Sequence, residues 1–196
     1  MQHIPTLENN KVRLQPLTIG DVEVLAEIAL GQPELFQLTS LQLRSKGDVY
    51  SFVRKALDEM NDGSTIPFLV IDKESKGIAG TTRLLSLVKQ HKRLEIGGTW
   101  ISKEFHGTGL NKAMKYLMLQ YAFEKLDFNR VEFKANEINI TSRRAIESIG
   151  GIFEGIFRNH MMNDNGTVRN SAYYSIIKVE WPVIKERILG KYRDEW

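Results

Sequence analysis

Cysteine is absent from the 196-residue sequence. That excludes disulfides, a thiolate nucleophile and cysteine-ligated metals together. The histidines His3, His91, His106 and His160 form neither H-x-x-x-H nor H-E-x-x-H, so no metal is expected. No window of about 18 apolar residues exists, and nothing reads as a membrane span. Met1-Gln2-His3-Ile4-Pro5 lacks the basic and apolar regions of a signal peptide, so a cytoplasmic location is expected. Neither sign of charge dominates: 27 Lys and Arg against 24 Asp and Glu leave a net charge of +3. The dense basic stripe of a nucleic-acid binder is missing, although the small excess can attract a small anion.

Other phosphate and acyl-transfer signatures are missing as well. No G-x-x-x-x-G-K-S/T argues against a P-loop, and no third glycine with a following acid completes a dinucleotide fingerprint. No G-x-S-x-G elbow offers a serine nucleophile.

Apolar residues make up 42% of the chain, and neither an internal repeat nor a long linker divides it. One domain over residues 1–196 is expected. Residues 11–15 alternate as a strand does, ending at Pro16. Thr18 and Asp21 read as a helix start, followed by Val22, Leu25, Ala26 and Ala29 at helical spacing up to Gly31. A second helix carries Val49, Phe52, Val53, Ala56, Leu57 and Met60. Strands are predicted over 67–71, 78–88 and 94–101, joined by polar turns. The strongest helix follows, with Leu110, Ala113, Met114, Leu117, Met118, Tyr121 and Ala122 on one stripe. Then come a strand around Val131, Phe133 and Ala135, a helix over 139–149, and strands over 152–158 and 171–179. Asp164-Asn165-Gly166 is a hairpin signal between those two strands. Trp181-Pro182 opens a last helix. The order β-α-α-β-β-β-α-β-α-β-β-α predicts an α/β domain of α+β type, with a mixed, mainly antiparallel sheet flanked by helices.

His106-Gly107-Thr108-Gly109-Leu110-Asn111 lies between a predicted strand and the strongest helix. A helix start exposes unpaired N–H groups and partial positive charge, and glycines let the backbone turn sharply around an anion. The turn therefore reads either as a pyrophosphate cradle or as a plain glycine turn that lets the chain enter the helix.

This turn, the element order and the later Asn139–Ser142 stretch together resemble the GNAT superfamily of acetyl-CoA-dependent N-acetyltransferases. The resemblance runs from about residue 10 to 181. The family's turn is Q/R-x-x-G-x-G/A. Gly109 matches its central glycine, whereas His106 and Asn111 depart from its ends. The G-T-G-L-N form, with Arg130-Val131-Glu132-Phe133-Lys134 and Asn139-x-x-Ser142-Arg143-x-Ala145-Ile146-Glu147, looks like the branch of ribosomal-protein N-terminal (alanine or serine) acetyltransferases.

The resemblance implies acetyl-CoA as donor, a GNAT-like domain and a set of roles. Backbone groups of Trp100, Ile101 and Ser102 would meet the pantetheine arm. The backbone from His106 through Gly107, Thr108, Gly109, Leu110 and Asn111 to Lys112 would hold the pyrophosphate. Asn139 and Ser142 would contact the pantetheine and its sulfur, and Arg143 or Arg144 the phosphates. Glu95 is the candidate base and Ser142 the candidate donor to the leaving sulfur. Alternation puts Glu95 and Gly97 on one face, opposite Leu94 and Ile96. An N–H near Trp100 or Ile101 would meet the developing oxyanion. Direct attack by the amine is expected, because no acyl-enzyme nucleophile is present. The acceptor would be a primary amine, either a protein N-terminus or a small molecule. His160, the 161–170 segment and the two N-terminal helices would shape its pocket. A non-catalytic acyl-CoA sensor and a ribosome- or RNA-associated adaptor are the competing readings, and a homodimer is compatible with all three.

Overall fold

The computed structural model describes residues 4–163 and 166–193. A two-residue strand, β1 (Leu7–Glu8), precedes β2 (Val12–Pro16), in which Val12 and Leu14 are buried while Arg13 and Gln15 are exposed. The Asp21 carboxylate accepts from the Thr18 N–H and hydroxyl at 2.7 and 2.9 Å. That turn leads into α1 (Val22–Gly31). Ser45 caps α2 (Lys46–Asn61) by accepting from the Asp48 N–H. Strands β3 (Ile66–Asp72), β4 (Ile78–Val88) and β5 (Arg93–Ile101) follow as a meander. Then come α3 (Leu110–Gln120), β6 (Arg130–Asn136), α4 (Ile140–Glu147), β7 (Ile152–Met162), β8 (Val168–Ile177) and a short α5 (Trp181–Val183). Only β1 is missing from the predicted order, being too short for alternation to show.

The eight strands form one sheet, ordered β1-β2-β3-β4-β5-β6-β8-β7. Neighbours are antiparallel except β5 and β6, which are parallel because α3 crosses between them. On one face α1 and α2 pack Leu25, Val49 and Val53 against Leu69 and Trp100. On the other, Met114 and Met118 of α3 meet Leu94, Ile96 and Phe133.

Periodicity predicts one buried stripe on α3. The structure buries Lys115, Tyr116 and Leu119 as well. For Tyr116 the reason is the C-terminal segment, whose Trp181, Leu189 and Tyr192 join the same core with Trp181 against the Tyr116 ring, whereas Lys115 reaches Thr99 of β5.

In the 161–170 segment, expected as a loop, residues 161–162 and 168–170 are strand. Met161 pairs with Arg169 and Met162 with Val168, beyond an irregularity between Phe157 and Met161 where Asn159 adopts a φ of 52°. That break interrupts the period-2 pattern and hides the continuation of β7. Gly166 has a φ of 80°, as a tight turn needs. Asp164 and Asn165 of the predicted turn, like Met1–His3 at the N-terminus, lie outside the described residues.

Candidate active site

The two parallel strands part company. β5 and β6 pair only at Arg93–Arg130, Leu94–Val131 and Glu95–Glu132. Beyond Glu95, β5 stays paired to β4 and β6 stays paired to β8. Their facing edges are left unpaired, and buried backbone groups demand partners. The opening is therefore a slot lined by main-chain donors and acceptors.

A bulge shapes the β5 side of that slot. Arg83 pairs with Gly97 and Thr81 with Trp100, so Gly98 and Thr99 together face the single residue Thr82. Gly98 takes a φ of 56°, which a side chain resists. The extra residue shifts the alternation by one. Leu94 and Ile96 lie on the α3 face, yet Trp100 packs on the α1–α2 face against Phe36, ring centroids 5.6 Å apart.

Alternation also decides which backbone groups face the slot. The Ser102 N–H donates to the Ala79 carbonyl at 2.7 Å, so Ser102 and Trp100 direct their groups toward β4. Ile101 and Thr99 then face the open edge. The Ser102 hydroxyl accepts from Gln32 and donates to Glu104, and its carbonyl accepts from the Phe105 N–H. Of the three residues expected along the pantetheine, Ile101 is thus the one with backbone on the open edge. Trp100 and Ser102 are turned away because the ladder with β4 uses them.

The glycine turn stands at the end of the slot. Gly107 and Gly109 have φ values of 76° and 88°. The Ala113 N–H donates to the Gly109 carbonyl, and the Leu110 N–H donates to the Thr108 hydroxyl at 3.3 Å. Among the described residues, no hydrogen bond engages the N–H groups of Gly107, Thr108, Gly109, Asn111 or Lys112. Five donors at a helix start form an anion cradle. A Cβ on Gly107 would meet nothing within 4 Å, so that face of the turn is open. The His106 imidazole pairs through Nε2 with the Ile101 carbonyl at 2.9 Å, bracing the turn against β5. Leu110 itself is buried in the core, so its part in the cradle is backbone alone.

α4 begins beside the slot, after β6. The Asn139 side chain accepts from the Ser142 N–H at 3.0 Å and caps the helix. The half-buried Ser142 hydroxyl makes no hydrogen bond among the described residues, whereas Arg144 is exposed. Arg143, expected as a phosphate contact, is engaged elsewhere. Its guanidinium donates to the Tyr174 hydroxyl and the Glu137 carbonyl.

Glu95 sits at the point of divergence, on a central strand. Its carboxylate lies 2.8 Å from the Lys134 ammonium. Burial pulls the Lys134 pKa down, but Glu95 outweighs it and leaves it raised. The other oxygen, Oε1, lies 2.8 Å from where a Cβ on Gly97 would stand, so that glycine leaves its space open. Tyr173 and Phe157 stack nearby at 4.0 Å between centroids, with His160 edge-on to both. The His160 imidazole bonds Ser171 at 3.0 Å, and burial followed by Lys134 and Arg169 lowers its pKa.

Sequence reasoning missed the Gly97-Gly98 bulge, Thr99, Lys134 and Tyr173. The bulge had a signal, since two glycines inside a strand run mark one. Lys134 and Tyr173 had none, because register alone places them opposite each other. Among the described residues, no group of three or more His, Asp or Glu could hold a metal.

A parallel strand pair that parts above a glycine turn, with two helix starts beside the opening, defines an acyl-CoA transferase fold. The chain belongs to the GNAT acetyltransferase family, whose Acetyltransferase (GNAT) domain matches residues 11–152. YdaF of Bacillus subtilis, which carries a provisional name as a ribosomal N-acetyltransferase, is 38% identical over 104 residues. That match spans 53% of this chain and 56% of YdaF. A GCN5-related N-acetyltransferase from Brucella melitensis superposes with a TM-score of 0.88 at 27% identity, covering 97% of this chain and 86% of that one. Mycobacterium smegmatis RimJ, solved with a CoA disulfide, shares the fold at a TM-score of 0.83 and 19% identity, over 98% of this chain and 97% of that one.

Proposed function

We propose that the protein transfers an acetyl group from acetyl-CoA to a primary amine by direct attack. The observation that carries this reading is the unpaired edge of β5 running from Glu95 to a turn with five unengaged N–H groups. Acetyl-CoA supplies the thioester-activated acetyl group. The backbone of Gly107 to Lys112 would hold its pyrophosphate, and Ile101 and Thr99 would offer N–H groups along β5. Such donors are worth most where water is excluded.

Glu95 would take the proton from the amine, directly or through one water. Its ion pair with Lys134 keeps one oxygen occupied and the other, over Gly97, available. Ser142 would hydrogen-bond the departing sulfur, since among the described residues its hydroxyl has no competing partner. A free α-amine, with a pKa near 8, is roughly one-tenth neutral at pH 7, while a lysine amine is neutral about once in 2,500. A single modest base therefore suits an α-amine. Together with the provisional name of YdaF, this favours a protein N-terminus as acceptor.

Incubation with acetyl-CoA and a panel of N-terminal peptides, amino acids and polyamines tests the reading. Thiol release that requires an acceptor is expected. Tight CoA binding with no release against any amine would instead mark a sensor. Steeply salt-dependent RNA binding would mark an adaptor.

A further inference from the structure

Among the described residues, Lys115 is a buried cation without an anion. Only 7% of the residue is exposed, and among the described residues its one side-chain hydrogen bond runs from Nζ to the Thr99 hydroxyl at 3.0 Å. The Thr99 hydroxyl also meets Thr82 at 2.7 Å, and Thr82 contacts the Met118 sulfur. Buried charges are ordinarily paired, and an apolar residue of similar volume usually serves stability better. Leucine or methionine would fit the other positions around it on α3. The lysine nonetheless projects to Thr99, one of the two β5 residues that the bulge frees from the ladder with β4.

We propose that Lys115 is a positioning residue for acyl transfer. Through the Thr99 hydroxyl it fixes the bulge so that the Thr99 N–H faces the slot, and its ammonium adds positive potential where negative charge gathers during attack. This rests on reading the β5–β6 slot as the donor site.

The stability cost supports the assignment. Burial is the sole cause that lowers the Lys115 pKa, to about 7, and among the described residues no charged group on β4, β5, α3 or the C-terminal segment offsets it. The unfolded lysine stays protonated up to about 10.4. Between about pH 7 and that value the folded chain holds fewer protons, so stability rises with pH across that window. Below about pH 7 the whole cost of burial is present.

Three variants test this: Lys115→Met, Lys115→Arg and Thr99→Val. In ligand-free protein, Lys115→Met should melt higher than wild type at pH 6, with the gap narrowing by pH 10. CoA affinity by calorimetry should stay within about threefold, while kcat falls on the order of tenfold or more. Thr99→Val should lower kcat likewise, and Lys115→Arg should restore part of it. A Lys115→Met protein that turns over at the wild-type rate, or melts lower at pH 6, overturns the proposal. Failure of the wild type to bind CoA strikes the donor-site reading instead.

Discussion

The Tyr192 hydroxyl stands 2.9 Å from the place a Cβ on Gly109 would occupy. The C-terminal segment thus forms the back wall of the anion cradle. Gly109 also has a φ of 88°, where a side chain is strained. Gly109→Ala should destabilise the protein by roughly 1–3 kcal/mol and weaken CoA binding. The double variant with Tyr192→Phe should recover the steric part and retain the backbone part. If the double variant is no better than Gly109→Ala, the contact is not the cause.

Gly97 gives a second, independent handle. A methyl there would meet the Glu95 Oε1 at 2.8 Å and Leu85 at 2.9 Å. Gly97→Ala should displace the carboxylate, so kcat drops on the order of tenfold with CoA affinity nearly constant. An equal loss in both quantities would mean that the whole strand has shifted.

Glu95→Gln removes the proposed base and keeps the shape. Turnover should fall roughly 10²-fold or more at pH 7, and CoA affinity should hold. Part of the lost rate should return at high pH, where more of the acceptor amine is already neutral. A rate equal to wild type at every pH would take Glu95 out of the mechanism. Because Lys134 shares the carboxylate, Lys134→Met should also alter the acceptor KM.

Asn139 and Ser142 separate two roles that lie three residues apart. Asn139→Ala removes a cap, which costs about 0.5–2 kcal/mol. Ser142→Ala leaves the cap intact, because only the Ser142 N–H takes part in it. It should slow turnover without lowering the melting temperature, and a normal rate would leave Ser142 a mere helix-end residue.

Much of this architecture was legible in the chain. Helices with one-sided stripes, such as Val49 to Met60, were plain, since the 3.6-residue period survives any partner. The sharp turn at Gly107 and Gly109 was legible because glycine is the residue that adopts a positive φ freely. Arg143 and Ser102 were not. Their side chains are claimed by Tyr174 and by Gln32, residues 31 and 70 positions away, and no local pattern encodes such claims. Lys115 carries no local signal, because its ammonium is held by the Thr99 hydroxyl of another element. The splay itself left no trace, since β5 and β6 read as normal strands whether or not they remain paired.

The bulge in β5 has a consequence for how this chain tolerates change. The strand is read in two frames, one through Ile96 and another from Trp100 onward. Deleting Gly98 would merge the frames by removing the extra residue, so that Thr99 alone stands opposite Thr82 while Trp100 and Ile101 keep their faces. Both cores and the His106 latch would survive, and only the bulge beside Thr99 would go. A one-codon deletion there would flatten the open edge without disturbing the packing on either side of the sheet.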